Sequence, residues 1–304
     1  MKARVFITGG SGLLALNWSA IIRDRIDVTL GIHERQVSPP GIKTIRVSLD
    51  SVEGLVRILE SLQSRIVIHT AGLTSVEKCE ADPELAKYIN IKLAANVAKA
   101  CSILNLDLVH ISTDHLFSGD ISLVEETYPV APLNVYGKTK AEAELRVIEA
   151  HSKALVIRTN FYGWGTNYRR SFSDMVIQGL RAGKELILFE DVAYTPILAE
   201  TVAKCVHDLI DLGASGIFHV SGDDRLSKYE FGLMVSTRFN LNSSLIKAGL
   251  ISDQASLIQR PLDMSLSNRK TSGLLGRRLG GVSDHLVRLF QQEQNGFAQE
   301  LQRQ

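Results

Sequence analysis

The chain has 304 residues, 45% of them hydrophobic and 22% charged, which is ordinary globular composition and excludes a disordered or collagen-like polymer. Thirty-four Lys and Arg against 33 Asp and Glu leave a formal charge of +1, with no electrostatic footprint for nucleic acid or an anionic membrane. No apolar run reaches the roughly 18 to 20 residues of a bilayer span. The amino terminus passes into a glycine turn without a signal-peptide core, and three scattered cysteines (Cys79, Cys101, Cys205) suggest neither a disulfide framework nor a zinc site. A soluble, cytoplasmic protein without a metal is expected.

Arg4 to Thr8 reads as a short strand ending at Gly9-Gly10-Ser11-Gly12, and Leu13 to about Arg23 as the helix that follows. A second strand is expected over Val28 to Ile32, a loop at Pro39-Pro40-Gly41 and a short strand over Thr44 to Val47. Val52 to Leu62 has helical spacing, and Arg65 to Thr70 is the fully apolar kind of strand that a parallel sheet buries. One long helix over Pro83 to Leu104, a strand over Asp107 to Ser112, a helix over Lys138 to Ala150 and a strand over Ala154 to Arg158 follow. Strands separated by helices of this length imply right-handed crossovers and a doubly wound parallel sheet of Rossmann type. After about residue 160 the pattern loosens, with elements near Glu185 to Phe189, Glu200 to Leu212, Gly216 to Val220 and Lys228 to Phe239, and a Gln-rich final helix from Asp284 to Gln304. The expected division is a nucleotide-binding body over 1–160, joined by returning segments of the later chain, and a smaller lobe mainly over 161–304.

Gly9-x-x-Gly12-x-x-Ala15 lies between the first strand and the first helix. Glycine there permits a tight turn and close approach to a pyrophosphate, whose charge is favoured at a helix amino terminus. At the end of the second strand, Gly31-Ile32-His33-Glu34-Arg35 has no acid where the strand stops and has Arg35 just beyond. An acid would hold the ribose 2′-hydroxyl of NAD and an arginine the 2′-phosphate of NADP, so NADP is favoured and NAD left open. The bland alternative is a solvated loop.

Tyr136-Gly137-Lys138-Thr139-Lys140 places a phenol and an ammonium at i and i+4 on one helix face. A nearby ammonium would bring a phenol toward its working range as an acid–base group. Ser112-Thr113-Asp114 sits at the carboxyl end of a buried strand, where open α/β sheets bind their ligands.

With these stretches in place, the chain resembles the extended short-chain dehydrogenase/reductase superfamily over essentially its whole length, and within it the dTDP-4-dehydrorhamnose reductase branch. The resemblance is carried by Thr8 to Ala15, Thr74 to Glu80, Asn90, Ser112 to Gly119, Pro132 to Lys140, Arg158-Thr159 and Arg260 to Asn268. It implies that Thr113, Tyr136 and Lys140 are catalytic and that Gly9, Gly12 and Leu13 line the dinucleotide, with Ala71-Gly72 passing near it. It also implies that the later lobe grips a nucleotide sugar, with Thr113 and Asp114 beside the sugar and Arg260 a candidate for its diphosphate. The implied reaction is reduction of a 4-keto-6-deoxy sugar nucleotide, Tyr136 giving the proton. Nucleotide-sugar 4,6-dehydratases resemble the chain but carry Asp-Glu after the strand-end threonine, where this sequence has Asp114-His115. The regulatory β subunit of methionine adenosyltransferase resembles the same branch, so a non-catalytic NADP-binding subunit is the competing expectation. A homodimer is left open.

Other residues have plainer readings. His69 and Trp18 are expected to pack, His115 to border the site, and Cys79 to lie in a loop-like, accessible segment. Tyr162, Trp164 and Tyr168 form an aromatic group that either stacks on a ligand or packs in the core.

Overall fold

In the computed structural model, which describes residues 3–254 and 257–304, the first half of the chain alternates strand and helix. Strands β1 (Arg4–Thr8), β2 (Asp27–Ile32) and β3 (Lys43–Arg46) are linked by α1 (Leu13–Ile22) and a loop, and α2 (Val52–Leu62) leads to β4 (Ile66–His69). Next come α3 (Val76–Ala81), α4 (Pro83–Lys87) and α5 (Leu93–Ile103), then β5 (Asp107–Ile111), α6 (Val135–Ala150) and β6 (Leu155–Arg158). The expected long helix is therefore α4 and α5 joined without a break by a π-helical turn, Tyr88–Lys92. In the later chain, two-residue strands β7 (Phe161–Tyr162), β9 (Ala193–Tyr194) and β10 (Ile197–Leu198) surround α7 (Phe172–Arg181) and β8 (Leu186–Phe189). They are followed by α8 (Ala199–Asp211), β11 (Gly216–His219), β12 (Leu226–Ser227), α9 (Lys228–Arg238), β13 (Ile246–Gly249), α10 (Arg269–Leu275), α11 (Val282–Gln294) and α12 (Phe297–Gln302).

Seven strands form one sheet in the order β11-β6-β5-β4-β1-β2-β3, every pair parallel. This is the doubly wound α/β arrangement, with the order reversing between β1 and β4. Alternation along β1 shows how the two faces are filled: Phe6 packs with the cluster of α2, α5 and α6, whereas Val5 and Ile7 pack with that of α1 and α8. β11 comes from the later chain and pairs with the outer side of β6, Gly216 opposite Leu155 and His219 opposite Arg158. A buried bidentate ion pair, Arg158 with Glu144 of α6 at 2.7–3.2 Å, ties this side of the sheet to the helical layer.

Two expectations are corrected by backbone chemistry. The helix carrying Tyr136 begins at Val135 rather than Lys138, because Asn134 caps it, Oδ1 accepting from the Gly137 N–H at 2.9 Å. The final helix is two helices, since Asn295 ends α11 and Gly296 adopts a φ of 80° before α12 starts.

Candidate active site

The residues that directly follow the first six strands, Gly9, His33, Val47, Thr70, Ser112 and Thr159, all line one cleft of about 920 Å³. It opens at the carboxyl ends of the sheet, on the topological switch point, and its volume is at the upper end for a small-molecule site.

One end of the cleft is the glycine turn. Gly9 has a φ of +66°, and a Cβ there would lie 2.8 Å from the backbone of Ala71, so neither the conformation nor the space admits a side chain. The turn is closed by Gly12 N–H to the Gly9 carbonyl at 2.7 Å and tied to β2 by Gly10 N–H to the Gly31 carbonyl at 2.9 Å. Gly12 caps α1 without a side-chain hydrogen bond and the first turn holds no acid, leaving helix N–H groups for an anion. Gly12, Leu13, Ala71 and Gly72 lie on the cleft wall with Gly9. These features fit a dinucleotide pyrophosphate.

Arg35 is placed differently from the sequence expectation. Its guanidinium lies 3.9 Å from the centre of the Tyr168 ring, and it is not among the residues on the cleft wall, where His33 and Glu34 stand instead. Tyr168 in turn donates its hydroxyl to the Ser11 carbonyl at 2.7 Å, so the segment after β7 crosses to the glycine turn. Tyr162 and Trp164 are buried core residues, the latter donating Nε1 to the Leu289 carbonyl at 3.1 Å; for these two, packing is the correct reading.

Thr113, Asp114, His115, Tyr136 and Lys140 line the other end. The Thr113 hydroxyl bonds Asp114 Oδ1 at 3.2 Å, and Asn160 donates to Asp114 Oδ2. Burial pushes the Tyr136 phenol up to about 12, opposed by a hydrogen bond with Thr113. Lys140 is pulled down to about 8 by burial, with Glu144 opposing the shift. The ammonium donates to the Ile111 carbonyl at 2.7 Å and lies 3.3 Å from His110 Nε2. The phenol is thus held neutral by its surroundings, and the lysine's partners are on β5 rather than on Tyr136. His115 packs edge-on to Tyr136 with ring centres 5.5 Å apart, and burial lowers its pKa despite Asp114. Ser112 Oγ, Thr159 Oγ1 and His115 Nδ1 are buried without a partner beside the cleft, as expected of groups that await a polar ligand.

Arg260 is ion-paired with Glu77 of α3 and stands off the cleft wall, its Nε buried without a partner. Cys79 is buried in α3, its thiol donating to the Leu73 carbonyl at 3.3 Å and pushed up to about 11, so the expected accessible loop cysteine is not found. Three residues gain importance that sequence reasoning did not assign. Arg169 lines the cleft and bonds Thr74, and Asn160 holds Asp114. Asn90, on the π-helical turn, accepts from Leu73 N–H at 2.8 Å and donates to the Leu73 carbonyl at 3.1 Å and Thr139 Oγ1 at 3.0 Å. A π-turn inside a helix is itself a frequent mark of a functional site, but amphipathic spacing does not show it.

The fold and cleft define an extended short-chain dehydrogenase/reductase type of nucleotide-binding protein. The model of the RmlD substrate binding domain matches residues 3–295, and the chain belongs to that family. It is 28% identical over 288 residues to the probable low-salt glycan biosynthesis reductase Agl14 of Haloferax volcanii, covering 93% of this chain and 96% of that one. It is equally 28% identical over 297 residues to methionine adenosyltransferase 2 subunit beta of Mus musculus, covering 90% and 84%. The crystal structure of dTDP-4-dehydrorhamnose reductase from Bacillus anthracis in complex with NADP superposes with a TM-score of 0.84 at 25% identity, covering 96% of this chain and all of that one. Among the described residues no helix is long and apolar enough to cross a membrane, and no His, Cys, Asp and Glu cluster is arranged to hold a metal.

Proposed function

We propose that the protein is an NAD(P)H-dependent reductase of a 4-keto-6-deoxy sugar nucleotide, with Tyr136 as the proton donor. The observation that carries this reading is one cleft with a glycine cradle at one end and Thr113, Tyr136 and Lys140 at the other. When bound, a reduced dinucleotide supplies the hydride that adds to the keto carbon. Thr113 orients the carbonyl through its hydroxyl, and Tyr136, kept as a neutral phenol by burial, gives its proton to the oxygen as negative charge develops there. Lys140 supplies the positive charge that stabilises the phenolate left behind. Gly9, Gly12, Leu13, Ala71 and Gly72 hold the dinucleotide, NADP being favoured by the NADP-bound structural relative, while Glu34 on the cleft wall after β2 keeps NAD open. Arg35, stacked on Tyr168, is the candidate for a 2′-phosphate. Asp114 and Arg260 are the substrate-side candidates, and the segments after residue 160 that do not return to the sheet form the substrate lobe.

The methionine adenosyltransferase β-subunit relatives favour a second reading, a non-catalytic dinucleotide-binding subunit. The deciding experiment measures oxidation of NADPH and NADH against a panel of 4-keto-6-deoxy sugar nucleotides. Turnover that Tyr136→Phe lowers by about 10²- to 10⁴-fold, with NADPH affinity within about threefold, is the expected result. Tight NADPH binding without turnover on any member would favour the subunit reading, and unchanged turnover in Tyr136→Phe would remove its role.

A further inference from the structure

Two buried histidines lie behind the cleft with no part in the reaction above. His69 and His110 are register neighbours on β4 and β5, and their rings stack with centres 5.4 Å apart and planes 22° from parallel. His69 Nδ1 is 2.8 Å from Thr8 Oγ1, at the end of β1, and that hydroxyl also accepts the Ala71 N–H at 3.5 Å. His110 Nε2 is 3.3 Å from Lys140 Nζ. A continuous buried row therefore runs from the strand that enters the glycine turn to the ammonium: Thr8, His69, His110, Lys140. Its outer atoms, His69 Nε2 and His110 Nδ1, have no partner, a cost that valine or isoleucine in the same sheet interior would not incur.

An ammonium has three donors and no acceptor, so a hydrogen bond from Lys140 requires an unprotonated His110 Nε2, with the proton on Nδ1. We propose that His110 is a positioning residue for Lys140. Its Nε2 lone pair and the Ile111 carbonyl take two of the three ammonium protons and leave the third for the cleft, while His69 and Thr8 set the orientation of the His110 ring. The inference rests on the reading of Lys140 as the charged partner of Tyr136.

The other groups facing Lys140 are Tyr136 and Glu144 on its own helix and His69 on β4. The Glu144 carboxylate is already engaged bidentately by Arg158, so the Ile111 carbonyl and His110 are the neutral acceptors left to the ammonium. Burial and the ammonium hold His110 well below its ordinary range, so it stays an acceptor throughout the neutral region. A hydrogen bond to the charged form of Lys140 opposes the burial that lowers it, so losing the bond lowers it further.

The test uses side-chain NMR of the free full-length protein labelled in lysine and histidine, and does not depend on turnover or on knowing the substrate. The wild type is expected to show His110 as the Nδ1–H tautomer and Lys140 titrating near the value of about 8. His110→Leu should move the Lys140 midpoint down by about one pH unit or more, and His110→Gln, whose amide carbonyl can accept, should recover at least half of that shift. An Nε2–H tautomer in the wild type overturns the proposal. So does a Leu variant that leaves the midpoint in place, or a Gln variant that recovers less than half. If His110→Leu does not fold, the wild-type tautomer decides alone. A correct tautomer with recovery in Gln would stand even if no keto sugar were turned over, which separates failure of this inference from failure of the proposed reaction.

Discussion

Tyr136 and Lys140 are shifted by the same cause in opposite directions: desolvation disfavours the phenolate and the ammonium alike, raising one to about 12 and lowering the other to about 8. At neutral pH this leaves a neutral phenol beside a charged lysine, the pair of states that proton donation to a developing alkoxide uses. As pH rises through about 8 the lysine loses its charge, so kcat/KM should fall on an alkaline limb centred near that value. A limb only above pH 10 would show that the lysine is not buried as described. His69 and His219 are lowered to about 3, and His110 well below its ordinary value, chiefly by burial. Between about pH 6.5 and 3 the unfolded chain binds protons at these rings and the native chain does not, so stability falls as pH drops below 6.5. At pH 5 His69 and His219 each cost on the order of 2 kcal/mol, and His110 adds in the same direction. Urea midpoints at pH 7.5 and 5.0 measure the sum, and equal midpoints would contradict it.

At the level of elements, the π-helical turn is where the helical layer grips the cleft. Asn90 satisfies both backbone groups of Leu73 and reaches Thr139, which donates to the Tyr136 carbonyl at 2.9 Å. Asn90→Ala strands these partners and should lower unfolding stability by about 1–3 kcal/mol. Because Leu73 directly follows Ala71-Gly72 on the cleft wall, dinucleotide affinity should weaken as well, read by isothermal titration. Apolar period and glycine punctuation made the first-half strands and α2 legible almost to the residue, since a parallel sheet buried on both faces writes itself as short apolar runs. Other features were not legible for identifiable reasons. α7 is announced mainly by its cap, Ser171 Oγ accepting from Asp174 N–H at 3.1 Å, just after an aromatic stretch that suggested a ligand contact. The two-residue strands β7, β9, β10 and β12 exist only through partners distant in sequence. At the site, Thr113, Tyr136 and Lys140 line one cleft as their spacing suggests, but Arg35 stacks on Tyr168 and Arg260 pairs with Glu77, partners far away in sequence. Linear spacing does not reveal that choice.

For the molecule as a whole, the sheet is not complete until the chain returns at residue 216 to lay β11 against β6. The buried Arg158–Glu144 pair sits at that seam, with His219 Nε2 3.4 Å from the guanidinium. Arg158→Met leaves a carboxylate buried without its cation and should cost about 3–5 kcal/mol, whereas replacing both partners by apolar residues of similar volume should recover much of the loss. Thermal or urea unfolding of the single and double variants checks both statements.

The cleft wall is drawn from the ends of six strands spread between Gly9 and Thr159. No fragment of the sheet presents more than a corner of it, so a ligand that fills the cleft recognises only the finished protein. Its binding free energy is then added to the cooperative unfolding of the whole: free ligand at about 100 times its Kd contributes roughly 2.7 kcal/mol. In a cell, the supply of that ligand would set how long the protein survives proteolysis, and abundance would follow metabolite level before any change in synthesis.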